Sequence, residues 1–155
     1  MRAALLFLSS FVFSSDLPEL LSKNHIFSAD IIISDSESIV SKGYMSYLDG
    51  DFIYSVEYPS NQILAGLEGF LYIQDDDFKQ VMIYRDDEAF LVKQLLLNLY
   101  EYDELSCSSK CYKLNINDGR ISNAIIIFKN NLLYEMHVLN FQNNKFLIKF
   151  ENFVL

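Results

Sequence analysis

The sequence predicts a mainly β fold with short helices, an antiparallel barrel or sandwich. Three observations carry that expectation. Turn signals recur roughly every ten residues along most of the chain. The stretch Asp51 to Tyr58 alternates cleanly, with Phe52, Tyr54, Val56 and Tyr58 on one face and Asp51, Ile53, Ser55 and Glu57 on the other, the mark of a strand with one buried and one wet side. Beyond the N-terminal fifteen residues helix signals are few, the longest being the apolar run Ala89 to Leu99. At 155 residues the chain is one domain with room for a proper core. It has no internal repeat, linker or low-complexity segment.

Taken in order, residues 1–15 stand apart from that domain, which we place at 16–155. Met1-Arg2 is a minimal basic start, Ala3 to Phe13 an apolar run, and Val12-Phe13-Ser14 offers small residues near a cleavage point. This pattern reads as a secretory signal peptide, with a buried N-terminal helix as the alternative. Asp16 to Leu21 predicts a short helix, with Asp16 as N-cap, Pro18 in the first turn, and Leu17, Leu20 and Leu21 as one stripe. Strands follow at His25 to Ile33 and Ile39 to Leu48, and Asp49-Gly50 is a strong hairpin dipeptide. After the alternating strand, Pro59-Ser60-Asn61 turns into a short strand, Gln62 to Ala65, and Gly66 to Gly69 turns again.

The centre of the chain is a hairpin that leads into the helix. Phe70 to Ile73 is its first strand, Gln74 to Phe78 an acidic turn, and Lys79 to Tyr84 its second strand. Asp86-Asp87-Glu88 resembles a cap for the helix that follows, in which Lys93, Gln94 and Asn98 are the only polar interruptions. So greasy a helix must lie against a sheet or stand over an apolar cavity. Strands at Tyr112 to Ile116, Ile121 to Lys129 (buried on both faces), Leu132 to Leu139 and Phe146 to Phe150 complete the pattern, separated by Asn117-Asp118-Gly119, Asn130-Asn131 and Gln142-Asn143-Asn144.

Composition narrows the function. A formal charge of −9 opposes binding to nucleic acid or anionic lipid. No stretch after the signal reaches the about 18 apolar residues a membrane span needs, so the mature product is expected to be soluble and exported. Thirteen Phe and ten Tyr, with no Trp, supply either an ordinary β-rich core or a surplus of rigid apolar surface lining a ligand cavity. Cys107 and Cys111 are an even pair in an exported chain, which favours a disulfide over two thiols.

Catalytic chemistry is poorly represented. His25 and His137 neighbour no nucleophile motif, and there is no Gly-rich phosphate loop. Asp75-Asp76-Asp77 lacks the glycine and distal glutamate of a calcium loop and reads as a solvated turn. We therefore expect no enzyme activity, no cofactor and no metal.

At this point the order of several short motifs resembles the LolA family of periplasmic lipoprotein carriers. They are Gly43-Tyr44-Met45-Ser46-Tyr47, Phe52-Ile53-Tyr54, Tyr58-Pro59, Gly69 to Ile73, Asp76-Asp77-Phe78-Lys79-Gln80-Val81, Leu95-Leu96, Asn131 to Met136 and Asn143 to Phe150. The resemblance implies an incomplete antiparallel β-barrel of LolA/LolB-like type, with a helical lid over an apolar cavity. It implies Phe52, Tyr54, Val56, Leu71, Ile73, Val81 and Ile83 as cavity lining, and Leu91, Leu95, Leu96 and Leu99 as the lid. The implied partners are acylated lipoproteins, an inner-membrane releasing ABC transporter complex and an outer-membrane receptor lipoprotein, served by a periplasmic monomer. Two departures stand out. The family's basic Arg-Pro pair after the Gly43 strand is replaced by Leu48-Asp49-Gly50-Asp51, and the chain is short at its C-terminal side. A carrier for another acyl or glycolipid product, and a structural or adaptor β-domain with a solid core, remain the alternative functions.

Overall fold

A computed structural model describes residues 16–85, 90–98, 100–116 and 119–155. The segment read as a signal peptide, the acidic cap-like run with Ala89, Leu99, and Asn117-Asp118 lie outside the described residues.

Helix α1 (Leu17–Lys23) starts where Asp16 accepts a hydrogen bond from the Glu19 backbone N–H at 3.1 Å, and it buries Leu17 and Leu20. Six strands follow as a meander: β1 (Ile26–Ser34), β2 (Ile39–Leu48), β3 (Asp51–Tyr58), β4 (Gln62–Leu67), β5 (Phe70–Asp75) and β6 (Gln80–Tyr84). Helix α2 (Leu91–Leu97) leads to a second meander of β7 (Glu101–Leu105), β8 (Lys110–Asn115), β9 (Ile121–Lys129), β10 (Leu132–Asn140) and β11 (Lys145–Val154). Among the described residues these form one antiparallel sheet, ordered β6-β5-β4-β3-β2-β1-β11-β10-β9-β8-β7. The sheet is not closed: β6 and β7 are its two edges. A single seam, β1 against β11, joins the halves, with Ile31 opposite Phe150 and Ile33 opposite Ile148.

The turns follow from local chemistry. Asp49-Gly50, Glu68-Gly69 and Asn130-Asn131 each hold positive φ at both positions, the geometry that two-residue hairpin loops require. The concave face carries the core: Phe27, Ala29 and Ile31, Met45 and Tyr47, Phe52, Tyr54 and Val56, and from the second meander Ile126, Phe128, Met136, Ile148 and Phe150. Both helices lie on this face, through Leu17, Leu20, Val92 and Leu95.

The structure corrects several expectations. Strand β4 continues through Gly66 to Leu67 instead of turning at Gly66, because a Cβ there would overlap the Phe52 ring, and glycine lets that ring lie flat on the strand. Strand β9 is not buried on both faces: Ala124, Ile126 and Phe128 are buried, whereas Ile125 and Ile127 are half-covered beside His137 and Glu135. Strand β7 has no counterpart in the sequence reading. Its Glu101, Asp103 and Glu104 suit an edge that meets solvent and leave too little alternation to read.

Asn24, fully buried at the C-terminus of α1, is the polar anchor of the fold. Its amide donates to the carbonyls of Leu20 (2.7 Å) and Asn131 (2.9 Å), and its oxygen accepts from the Leu133 N–H (3.0 Å). One side chain therefore ties α1 to the β9–β10 turn. Replacing it strands buried backbone groups, each costing about 1–3 kcal/mol. Asn24→Ala should lower the unfolding free energy by about 3 kcal/mol in urea titrations, and an unchanged midpoint would show that the anchor is dispensable.

Candidate functional site

Phe52, Tyr54 and Val56 on β3 and Leu71 and Ile73 on β5 point to the concave side and share one apolar wall. Buried Tyr54 satisfies its hydroxyl on Ser41 Oγ at 2.9 Å. Helix α2 lies over this wall. The ring of Phe90, its N-cap, stacks on Phe52 with centroids 4.5 Å apart and approaches Tyr54 at 5.6 Å. Val92 and Leu95 have no exposed surface, and Leu91 and Leu96 pack partly buried against the core. Lys93 and Gln94, two of the polar interruptions in the sequence, are buried as well, so α2 sits inside the concavity instead of bridging its mouth. Phe90, as N-cap, offers no side-chain acceptor to the first turn of α2; at the other end the Asn98 side-chain amide donates to the Gln94 carbonyl at 3.0 Å. The fourth residue expected in the lid, Leu99, lies outside the described residues.

Val81 and Ile83 do not line the concavity. They are 68% and 61% exposed on the outer face. The β5–β6 register sets Met82 opposite Ile73, so strand parity turns Met82 inward and its two neighbours outward. The sequence hides this because all three are apolar.

That outer face holds what the sequence reading missed. Across β1 to β6, Ile26, Tyr44, Leu48, Ile53, Ile63, Leu67, Phe70 and Tyr72 are exposed together with Val81 and Ile83. A groove of about 520 Å³ takes in four of them, Ile26, Leu48, Ile53 and Leu67, together with Ser28, Ser46 and Asp51, and with Val154 and Leu155. A smaller groove of about 330 Å³ lies over the second meander, between Asn123, Ile125, His137, Lys145 and Leu147. The only available signal for the larger one was that Ile53 falls among the wet residues of β3.

The polar candidates resolve into structural parts. Asp75 accepts from the Phe78 N–H at 3.0 Å and from Gln62 Nε2 at 2.7 Å, and these bonds hold its carboxyl below the usual range. Asp76 accepts from Gln74, and Asp77 from the Asn61 N–H. The triple aspartate thus staples the β5–β6 turn to the β3–β4 turn. Among the described residues no group of three or more His, Cys, Asp or Glu could hold a metal ion. His137 Nε2 lies 3.0 Å from Glu135 Oε2, while His25 sits at the start of β1 against the Ser22 carbonyl. Cys107 and Cys111 are joined in a disulfide, Cα atoms 6.3 Å apart, at the β7–β8 turn. No described helix is long and apolar enough to cross a membrane.

No family model and no curated protein matches the chain. Among solved structures it is similar to the one titled "Crystal structure of MucB in complex with MucA(peri)", with a TM-score of 0.49 and 13% identity. The match covers 88% of this chain and 52% of that one, so this chain spans about half of its length.

Two predictions follow from the site's geometry. Gly66→Val should push the Phe52 ring off the strand, break its stack with Phe90 and loosen α2. Hydrogen exchange should then be faster at Leu95 and Leu96, while β9 and β10 stay protected; equal protection in α2 would show that the stack does not hold it. The second concerns alkaline pH. Burial, aided by the nearby Asp49 charge, pushes the Tyr47 phenol up to about 12, and burial also raises Tyr54 and Tyr112. Their ordinary value is about 10, so the neutral phenols contribute stability that is complete below that pH and is lost as pH climbs toward 12. Ultraviolet titration should show phenols ionising late, together with unfolding.

Proposed function

We propose that this chain is a carrier of the LolA type, which shelters acyl chains on the concave face of its open sheet with α2 as the displaceable cover. The observation that carries this reading is how α2 is held: Phe90, Val92 and Leu95 occupy the concave wall through apolar contact. Seven residues are too few for a stable helix in water, so the wall gives α2 its structure. A hydrocarbon chain entering the same place would restore the same burial, at about 0.8 kcal/mol per CH₂. Exchanging one apolar occupant for another is nearly balanced, which gives the modest affinity a carrier needs to pass its load on. The stack of Phe90 on Phe52 would take the place of the family's absent arginine in holding the cover shut.

In this reading the chain is exported to the periplasm, loaded with acylated lipoproteins by an inner-membrane ABC releasing complex, and unloaded by an outer-membrane receptor lipoprotein. It performs no covalent chemistry. A second reading has an observation of its own: with Val92 and Leu95 wholly buried, the interior is filled, as in an adaptor domain with a solid core.

A fluorescent fatty-acid probe separates the two. A carrier binds it, and each methylene removed from the tail weakens binding by about fourfold. Leu95→Glu should also abolish release of a lipoprotein from inner-membrane vesicles. A chain that binds no probe of any length has a solid core, and the carrier reading fails.

A further inference from the structure

The outer face of the sheet is divided. Over the second meander it is charged, with Asp103, Lys113, Glu135, His137 and Lys149 in neighbouring register positions. Over β2 to β6 it is apolar: Tyr44, Leu48, Ile53, Ile63, Leu67, Phe70, Tyr72, Val81 and Ile83 are all exposed; of the charged groups of those strands, Asp75 is buried, and Lys42, Asp51 and Glu57 stand near the ends of β2 and β3, Asp51 at the groove. We propose that this apolar half is the contact surface for a second copy of the same chain, so that the protein is a two-fold dimer and not the monomer the family resemblance implies. This is independent of the carrier reading, which uses the opposite face.

Area is the first ground. The nine side chains are between 36% and 68% exposed, and each aromatic one among them can bury about 150–250 Å² in all. Together they offer on the order of 800 Å², the share each partner contributes to a standard stable interface, and more than a monomer commonly leaves as one patch. Charge is the second. A chain of net charge −9 repels its own copy everywhere except where charge is missing. A basic partner would find few carboxylates on this face, and an anionic bilayer few cations. Shape is the third. The 520 Å³ groove has a floor of small side chains, Ser28 and Ser46, whose hydroxyls are 3.4 Å apart. Phe70, opposite Leu67 of the groove in the β4–β5 register, and Tyr72 lie beside it with ring centroids 6.4 Å apart. A groove and an exposed aromatic pair on one face are what an isologous contact can use, the same patch serving both copies.

Sedimentation velocity of the full chain, expressed with its own N-terminus, tests this from low-micromolar to hundred-micromolar concentration. The wild type and Lys113→Ala should sediment as dimers, and the double variant Ile53→Lys/Tyr72→Lys as a monomer with unchanged circular dichroism. Hydroxyl-radical footprinting of the unmodified chain gives a reading free of any folding defect: labelling of Phe70 and Tyr72 should fall as concentration rises. A monomer at every concentration overturns the proposal. So does a dimer that survives the double variant but is lost with Met82→Pro, since that dimer pairs through the β6 edge. Patch-dependent co-sedimentation with neutral phosphatidylcholine vesicles, with no dimer, assigns the face to a lipid surface instead.

Discussion

An antiparallel sheet that curls without closing leaves an oily hollow, and something must fill it. In this chain the filling rests on a short relay of contacts. Gly66 lacks a side chain, so Phe52 lies flat on β4; Phe52 lies flat, so Phe90 can stack on it; Phe90 then brings Val92 and Leu95 down onto the wall. Without the helix, β3 and β5 would expose their aromatic and aliphatic faces to water, at about 25 cal/mol per Å². Without the wall, α2 has too few residues to persist. Each is stable only because the other is there.

Polar groups act as fasteners around this apolar interior. Asn24 uses both side-chain N–H donors and its oxygen on three backbone groups, two of them over a hundred residues away in sequence. The Phe78 N–H and Gln62 Nε2 both donate to the Asp75 carboxylate, which keeps the β5–β6 turn folded down on its neighbour. Both residues are buried in the sheet's frame, and neither is placed to do chemistry on a substrate.

Much of this frame is legible in the amino-acid order. The limits of β2, β3 and β9 coincide with the alternating or apolar runs Ile39 to Leu48, Asp51 to Tyr58 and Ile121 to Lys129, and Asp49-Gly50 turns where its dipeptide says it should. Four things are not legible, each for a physical reason. Strand β7 is an edge, and an edge can carry Glu101, Asp103 and Glu104 without the pattern that betrays buried strands. Val81, Met82 and Ile83 are all apolar, so only the pairing of β6 with β5 decides which of them faces in. The exposed field around Ile53 and Tyr72 is invisible because hydrophobicity along a strand signals burial, and here the residues meant for the wet side are apolar too. The depth of α2 is hidden as well: Lys93 and Gln94 read as a wet face from composition alone, yet they are buried.

The seam between β1 and β11 has a bearing on how the molecule comes to exist at all. Each meander can assemble from neighbouring hairpins as soon as its own residues are available, but Ile31 must wait for Phe150. Among the described strands this pairing spans the greatest sequence separation, and non-local pairings of this kind slow folding relative to hairpins. The strand that opens the sheet's first meander is therefore held by the strand that closes its second, and a cut anywhere between them would leave that pairing to chance encounter of two separate pieces.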